Sequence, residues 1–280
     1  MGLALAPSAE AAVSVTSFDV RPSTTRAGGH PDLAITTEFA SSPSSDDVKD
    51  VTVRLAPGLV GNPLAAERCA GSAFAADACP AGSRVGSVSV TAQLIAPLVS
   101  TGDVYDLRPS GSEPARLGIV LRPPLLPKIF LQAPAHLVKG AGGYALETTF
   151  ANQPRTAGGL PIRISRIELR LLGRASRGSF MRNPTSCAPA VSTTSATSYD
   201  SGGSSTRTSS FVPTDCGALP FDPRLEGTIG GPGRTRIGQF VPLSTTLTFD
   251  CSRYPWSSEP RPSCPPGNPT IGSPEASVGV

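Results

Sequence analysis

Two histidines, His30 and His136, are all the imidazole this chain has, and each stands beside or near a proline. A serine or cysteine triad needs histidine within hydrogen-bond reach of a nucleophile and of an orienting carboxylate. No G-x-S-x-G elbow is present to supply the nucleophile, and neither histidine has a second one at metal-ligand spacing. The densest acidic cluster is Asp46, Asp47 and Asp50, which could hold calcium on a loop, but no D-x-D-x-D-G pattern accompanies it. A solvated loop just before a strand accounts for it better. Phosphate-cradling motifs are absent, since the glycine-rich stretch 227–233 lacks the lysine of G-x-x-x-x-G-K-[ST]. No catalytic, cofactor-binding or metal-ligating residue is therefore assigned, and no cofactor or nucleotide partner is expected. One chemistry stays open. Glycoside hydrolysis needs two carboxylates that the fold brings together, and spacing along the chain does not reveal such a pair.

Two other sets of residues carry chemistry. The six cysteines are Cys69, Cys79, Cys187, Cys216, Cys251 and Cys264, an even number with no C-x-x-C, which argues against a zinc ribbon or a thioredoxin-type pair. They fall into sequence-local pairs, and 69–79, 187–216 and 251–264 is the simplest of the possible pairings. The second set is a basic stripe of Arg163, Arg166, Arg170, Arg174 and Arg177, continued by Arg182. Only Glu168 interrupts it, so 160–182 carries +5 while the rest of the chain, whose total is +3, sums to −2. Guanidinium forks bind carboxylate and phosphate bidentately, so the stripe is a candidate contact for anionic cell-wall or extracellular polysaccharide. The plainer alternative is the solvent face of a strand and its following turn. Aromatic interleaving of the kind that stacks nucleic-acid bases is missing, with Phe180 alone among these arginines.

The elements that must position these groups are strands. With 29 glycines and 30 prolines in 280 residues, long helices cannot dominate, and no apolar run is long enough for a membrane-spanning helix. Period-two alternation marks half-buried antiparallel strands. In 32–39, Leu33, Ile35, Thr37 and Phe39 share a face; 50–55 does the same with Val51, Val53 and Leu55, and 144–150 with Tyr144, Leu146, Thr148 and Phe150. In 162–172, Ile162 and Ile164 are followed by Ile167, Leu169 and Leu171 in the opposite phase, which predicts a bulge near Ser165 and Arg166. Weaker strand patterns run over 85–94, 99–107, 117–121 and 129–133, and a short helix is expected within 64–74. Between Cys187 and Cys216, 13 of the 19 residues 192–210 are Ser or Thr, with Gly202 and Gly203 near the middle. A hairpin turning at 201–203 would place the two cysteines nearly opposite each other; a flexible or O-glycosylated loop is the other reading. Together these patterns predict an all-β fold, an elaborated antiparallel β-sandwich of immunoglobulin-like or jelly-roll-like kind with a short helical turn and local disulfides.

The start of the chain, ending in Ala9-Glu10-Ala11, fits the A-x-A rule of signal-peptidase cleavage. Residues 1–11 are thus expected to be the remnant of a secretory signal, and export agrees with paired cysteines. An internal similarity spans an offset of 210: Thr25, Arg26, Gly28, Leu33, Thr36 and Phe39 recur as Thr235, Arg236, Gly238, Leu243, Thr246 and Phe249. This divides the chain into a sandwich module over 12–230, the opening strand of a truncated second repeat over 231–249, and a Pro/Ser-rich tail over 250–280.

Several segments carry a resemblance. The run from Asp47 to Pro63 (DVKDVTVRLAPGLVGNP), Cys79-Pro80, the run from Gly102 to Leu107 (GDVYDL), the run from Arg182 to Cys187 (RNPTSC) and the run from Cys216 to Pro223 (CGALPFDP) resemble large, uncharacterised, secreted tandem-repeat proteins of actinobacteria, over about 12–249. The resemblance implies exported β-rich modules in tandem, with paired cysteines and neighbouring repeats as partners, and no established activity. The function expected is a non-enzymatic, secreted cell-surface or matrix structural or adhesion module that contacts anionic cell-wall polymers. The alternative is a carbohydrate-active enzyme using a carboxylate pair on a β-sandwich frame.

Overall fold

The computed structural model describes residues 13–40, 46–94, 96–140, 142–219, 224–230, 241–248, 270–272 and 276–278. Two compact units divide the chain, Met1–Cys216 and Gly217–Val280.

The first unit is built on one antiparallel sheet whose eleven strands are β1 Val15–Pro22, β2 Leu33–Phe39, β3 Val48–Arg54, β4 Arg84–Gln93, β5 Pro97–Leu107, β6 Ala115–Arg122, β7 Ile129–Gly140, β8 Gly143–Phe150, β9 Arg163–Leu171, β10 Ala190–Ser198 and β11 Ser204–Phe211. Their order across the sheet is β1-β2-β9-β4-β5-β6-β7-β8-β3-β10-β11. The stretch from β4 to β8 is a meander; β9 and β3 join it to the two outer pairs. Register keeps apolar residues on one face from strand to strand: Ile35 lies opposite Leu169, Leu169 opposite Val88, Leu121 opposite Ile129, Phe150 opposite Val51, and Val51 opposite Ala196. A one-residue slip would turn each set out to solvent, so the hydrophobic pattern locks the register. The phase change read in β9 is a bulge: the pairing with β4 shifts between Ile164 and Arg166, leaving Ser165 unpaired, and Ile164, Leu169 and Leu171 all remain buried.

The sheet rolls until the free edge of β1 reaches the inner face of the β10–β11 hairpin. There the N–H groups of Val13, Val15 and Val20 donate to the hydroxyls of Ser198, Ser205 and Ser209 at 2.8, 3.0 and 2.9 Å. The two layers of this sandwich-like fold are thus opposite walls of one continuous sheet. Apolar side chains of both walls, among them Val20, Leu33, Ile35, Val88, Val104, Ile119, Leu121 and Leu169, make the main core, which Leu55, Leu59, Ala65, Phe180 and Met181 cap at one end. The Ser/Thr-rich segment is the expected hairpin: Ala190 to Thr197 pair with Phe211 to Ser204, and Gly202 in the turn has φ +64°, a conformation glycine adopts without steric cost.

Cys187–Cys216 and Cys69–Cys79 are disulfides, with Cα separations of 5.9 and 5.3 Å. Cys251 and Cys264 lie outside the described residues. The helix expected within 64–74 is shorter, Gly71–Ala75. Its start is set by Cys69, whose N–H donates to the Asp106 carbonyl and whose carbonyl accepts the N–H of Arg108. That bridge to β5 holds the chain extended just before Gly71. Phe74 then buries with Cys69, Leu107 and Val120 on the outer face of β5 and β6.

In the second unit, Arg224–Ile229 pairs antiparallel with Val241–Thr248, which also pairs with Thr270–Gly272 and Ala276–Val278. Leu243 and Thr246 of the internal similarity lie on Val241–Thr248, whereas Thr235, Arg236, Gly238 and Phe249 lie outside the described residues, as does the signal-like segment 1–11. Among the described residues no helix is long and apolar enough to cross a membrane.

Candidate functional site: a polar groove on the outer wall

Alternation along β9, β4 and β5 sends every second side chain outward. Opposite Arg166, Glu168 and Arg170 on β9 lie Thr91, Ser89 and Ser87 on β4. Ser89 and Ser87 in turn face Thr101 and Asp103 on β5, and Thr101 faces Arg122 on β6. Short hydroxyl side chains therefore form a floor between long charged walls. The result is an open groove of about 360 Å³ lined by Arg84, Ser87, Ser89, Thr101, Asp103, Arg122, Glu168 and Arg170, with Val88 and Gly102 in its floor.

The charges in the groove are paired. Arg170 Nη2 lies 2.6 Å from Glu168 Oε1, Arg84 Nε 2.6 Å from Asp103 Oδ1, and Arg122 Nη1 2.7 Å from Asp103 Oδ2. Arg122 continues to Asp77, which also takes Lys128 at 2.6 Å. The hydrogen bond from Arg170 holds the Glu168 carboxyl below its usual range, favouring the ionised form. A carboxylate in that state accepts hydrogen bonds and does not act as a general acid.

Of the basic stripe, Arg163, Arg166 and Arg170 sit on β9, while Arg174 and Arg177 lie exposed on the turn that follows. Arg166 reaches Glu38 on β2 at 2.7 Å, and Arg163 lies 3.5 Å from Asp47. Of the stripe, the fold thus brings only Arg170 into the lining of the groove, while Arg166 turns to Glu38 and Arg163 toward a different cluster. Asp47 also binds Arg155 at 2.9 Å, and Arg155 binds Asp200 at 2.9 Å while its guanidinium stacks 5.0 Å above the Tyr199 ring. Asp46 accepts the N–H groups of Asp200 and Ser201, and Asp50 accepts the N–H of Asn152 and the hydroxyl of Thr197. Asp46 and Asp47 precede β3 and Asp50 lies on it, all half-buried, so the acidic cluster is not the solvated loop expected but an anchor that ties neighbouring loops to the β10–β11 hairpin. Among the described residues no group of three or more His, Cys, Asp or Glu could hold a metal ion. His30 Nδ1 is bonded to the Met181 carbonyl at 2.9 Å, and His136 is exposed on β7.

Arg84, Asp103 and Arg122 were not singled out by the sequence reading. The strand expected over 85–94 contains Ser87, Ser89 and Thr91, but which strands lie beside it depends on pairings far apart in the chain. Compared with protein-family models, with curated proteins and with solved structures, the chain matches none.

Proposed function

We propose that this chain is a non-enzymatic, exported cell-surface or matrix module that holds anionic polysaccharide in the outer groove of β9, β4, β5 and β6. The observation that carries this reading is the composition of the groove: a floor of Ser87, Ser89 and Thr101 hydroxyls between Arg84, Arg122 and Arg170 on one side of the charge balance and Asp103 and Glu168 on the other. Hydroxyls both donate and accept, carboxylates accept and guanidinium forks donate, which suits a ligand dense in hydroxyl groups. The excess of one cation favours a polymer that carries carboxylates as well. The two disulfides support export, since such bonds persist in oxidising compartments.

Asp103 and Glu168 share the groove, which is the arrangement a glycoside hydrolase would need. The Glu168 carboxylate is favoured by Arg170, and both Asp103 oxygens are taken up by the guanidinium groups of Arg84 and Arg122, so the pairings leave neither group free to act on a substrate. Binding without cleavage is the reading these pairings favour.

The test is titration calorimetry of the oxidised chain with polygalacturonate, at low salt and at about 0.5 M salt, where screening between exposed charges is strong. Binding at low salt, weakened by salt and by at least an order of magnitude in Arg84→Ala plus Arg170→Ala, is the expected result. Absence of binding at either salt removes the polysaccharide reading. New reducing ends that disappear in Asp103→Asn would replace it with the hydrolase.

A further inference from the structure

We infer that the inside of the rolled sheet is a second binding site, separate from the groove, that takes the end of an unbranched aliphatic chain. Eight strands make a barrel whose interior side chains can just fill or that can hold one small ligand, and the width grows with strand number. Here eleven strands enclose an interior lined mainly by Val, Ile, Leu and Ala, and no described helix enters it. Filling is incomplete: the inward-facing Val53, Val90, Ile129, Leu131, Phe150 and Ile167 all keep partial exposure. They border a cavity of about 70 Å³. One water-sized group needs roughly 10–15 Å³ on such a measure, so the space admits several such groups.

The lining decides what kind of group. Among the described residues only Thr37, Ser100 and Gln153 bring polar side chains to it, and the Gln153 amide already donates to the Phe150 carbonyl at 2.9 Å. Buried water needs two to four polar partners, which the Val, Ile and Leu walls do not supply. Methylene groups need none. Leu98, Pro123, Ile129, Pro154, Ala157 and Ile162 gather the cavity toward the end of the sheet where β4 and β6 finish and β5, β7 and β9 begin. The two loops there touch, Leu126 packing beside Ala157 and Ile162. Each also carries a leucine that the core does not use. Leu125 is fully exposed with φ +62° and Leu160 is 47% exposed. A left-handed backbone at a bulky residue is uncommon; here the Leu125 side chain is turned outward two residues after Pro123, which lines the cavity. A short alkyl chain entering there would place its methyl end among Val53, Val90 and Ile167 and leave its polar head in water.

The test uses the oxidised full chain and the series from butanoate to octanoate in titration calorimetry. Each added methylene is expected to tighten binding about fourfold, the transfer free energy of one buried methylene, with a negative heat-capacity change. Val53→Phe and Val90→Phe, made separately, fill the space and are expected to weaken octanoate at least tenfold while polygalacturonate binding is unchanged. For the unaltered chain, nuclear Overhauser contacts should connect octanoate methylenes to methyl groups of Ile35, Val53 and Ile167. That measurement decides the matter if neither variant folds. Affinity independent of chain length, or contacts confined to Leu125 and Leu160, would overturn the proposal whether or not the groove binds polysaccharide.

Discussion

Asp106 on β5 offers the sharpest test of how this core is built. Its side chain is 1% exposed, its Oδ2 accepts no hydrogen bond among the described residues, and the nearest cation, Arg68 Nε, is 3.8 Å away. Burial pushes the carboxyl up to about 7, against the pull of Arg68. Since the unfolded chain releases this proton near pH 4, the folded state binds it more tightly. The contribution to stability is therefore full below pH 4, declines as pH rises between about 4 and about 7, and is flat above. At about 1.4 kcal/mol per unit the complete shift is worth about 4 kcal/mol, and the portion between pH 5 and pH 7.5 about 2–3 kcal/mol. Glu113, Glu168 and Asp77 act in the opposite sense: Arg116, Arg170 and Lys128, respectively, hold their carboxyls low. Their contributions are present above pH 4 and lost below it, so the two windows separate. Urea unfolding followed by far-ultraviolet circular dichroism, with disulfides intact, should find the first unit less stable at pH 7.5 than at pH 5. Asp106→Asn, which cannot ionise, should remove most of that slope. A slope of the same size in wild type and Asp106→Asn would show that Asp106 is not the titrating group, and wild type more stable at pH 7.5 would refute the buried-carboxyl reading altogether.

Three further outcomes follow from the packing. Ser209→Ala removes the acceptor of the Val20 N–H, and leaving such a donor unsatisfied should cost about 1–3 kcal/mol in the same urea assay, with faster hydrogen exchange at Val20. Replacing Cys187 and Cys216 by serine opens a loop closed over a separation of 29 residues and should lower stability by roughly 3.5 kcal/mol, against about 3 for the Cys69–Cys79 pair, which thermal melts of the two variants would compare. At Gly118 an added Cβ would lie 2.6 Å from Phe74 Cε2 and 2.8 Å from Leu107 Cδ1, so Gly118→Ala should displace the Gly71–Ala75 helix from β6 at a cost of about 1–3 kcal/mol, read as a lower melting temperature.

Local features of this fold were legible in the chain, and long-range ones were not. Alternation over 32–39, 50–55 and 144–150 became β2, β3 and β8, and the phase change after Ile164 became the Ser165 bulge, because a pleated strand forces its period on the side chains whatever lies beside it. Cys69 with Cys79 and Cys187 with Cys216 were readable since each pair closes a short loop or a hairpin. What lay beyond reach was adjacency. Nothing in β9 says that it will lie between β2 and β4, so the pairing of Arg166 with Glu38, and the meeting of Glu168 and Arg170 with Ser87, Asp103 and Arg122, could not be foreseen. The same limit applies to the helix, which is cut short by a bridge between Cys69 and β5 that only the assembled sheet supplies.

The Ser/Thr-rich stretch 192–210 has a physical reason that its composition alone conceals. An open sheet edge leaves backbone donors to be satisfied, and most proteins pair or cover them. Here the edge of β1 ends against the face of β10 and β11, where no backbone ladder can receive it. Side-chain acceptors must do so, at the spacing of β1's own N–H groups, and Ser198, Ser205 and Ser209 provide them. Valine or isoleucine at those sites would be better strand formers, but would strand three donors in the seam. Small side chains also let the edge approach closely: Ser192, Thr194, Ala196 and Ser198 are buried along the same face of β10. The seam closes the sheet on itself, and closure is what gives one set of strands two distinct surfaces. Val88, Val90, Ile167 and Leu169 turn inward to the apolar cavity, while Ser87, Ser89, Glu168 and Arg170, their immediate neighbours in sequence, turn outward to the groove. The polar ligand proposed for the outside and the aliphatic one proposed for the inside would thus be read by alternate residues of β4 and β9, with the serine seam as the condition for both.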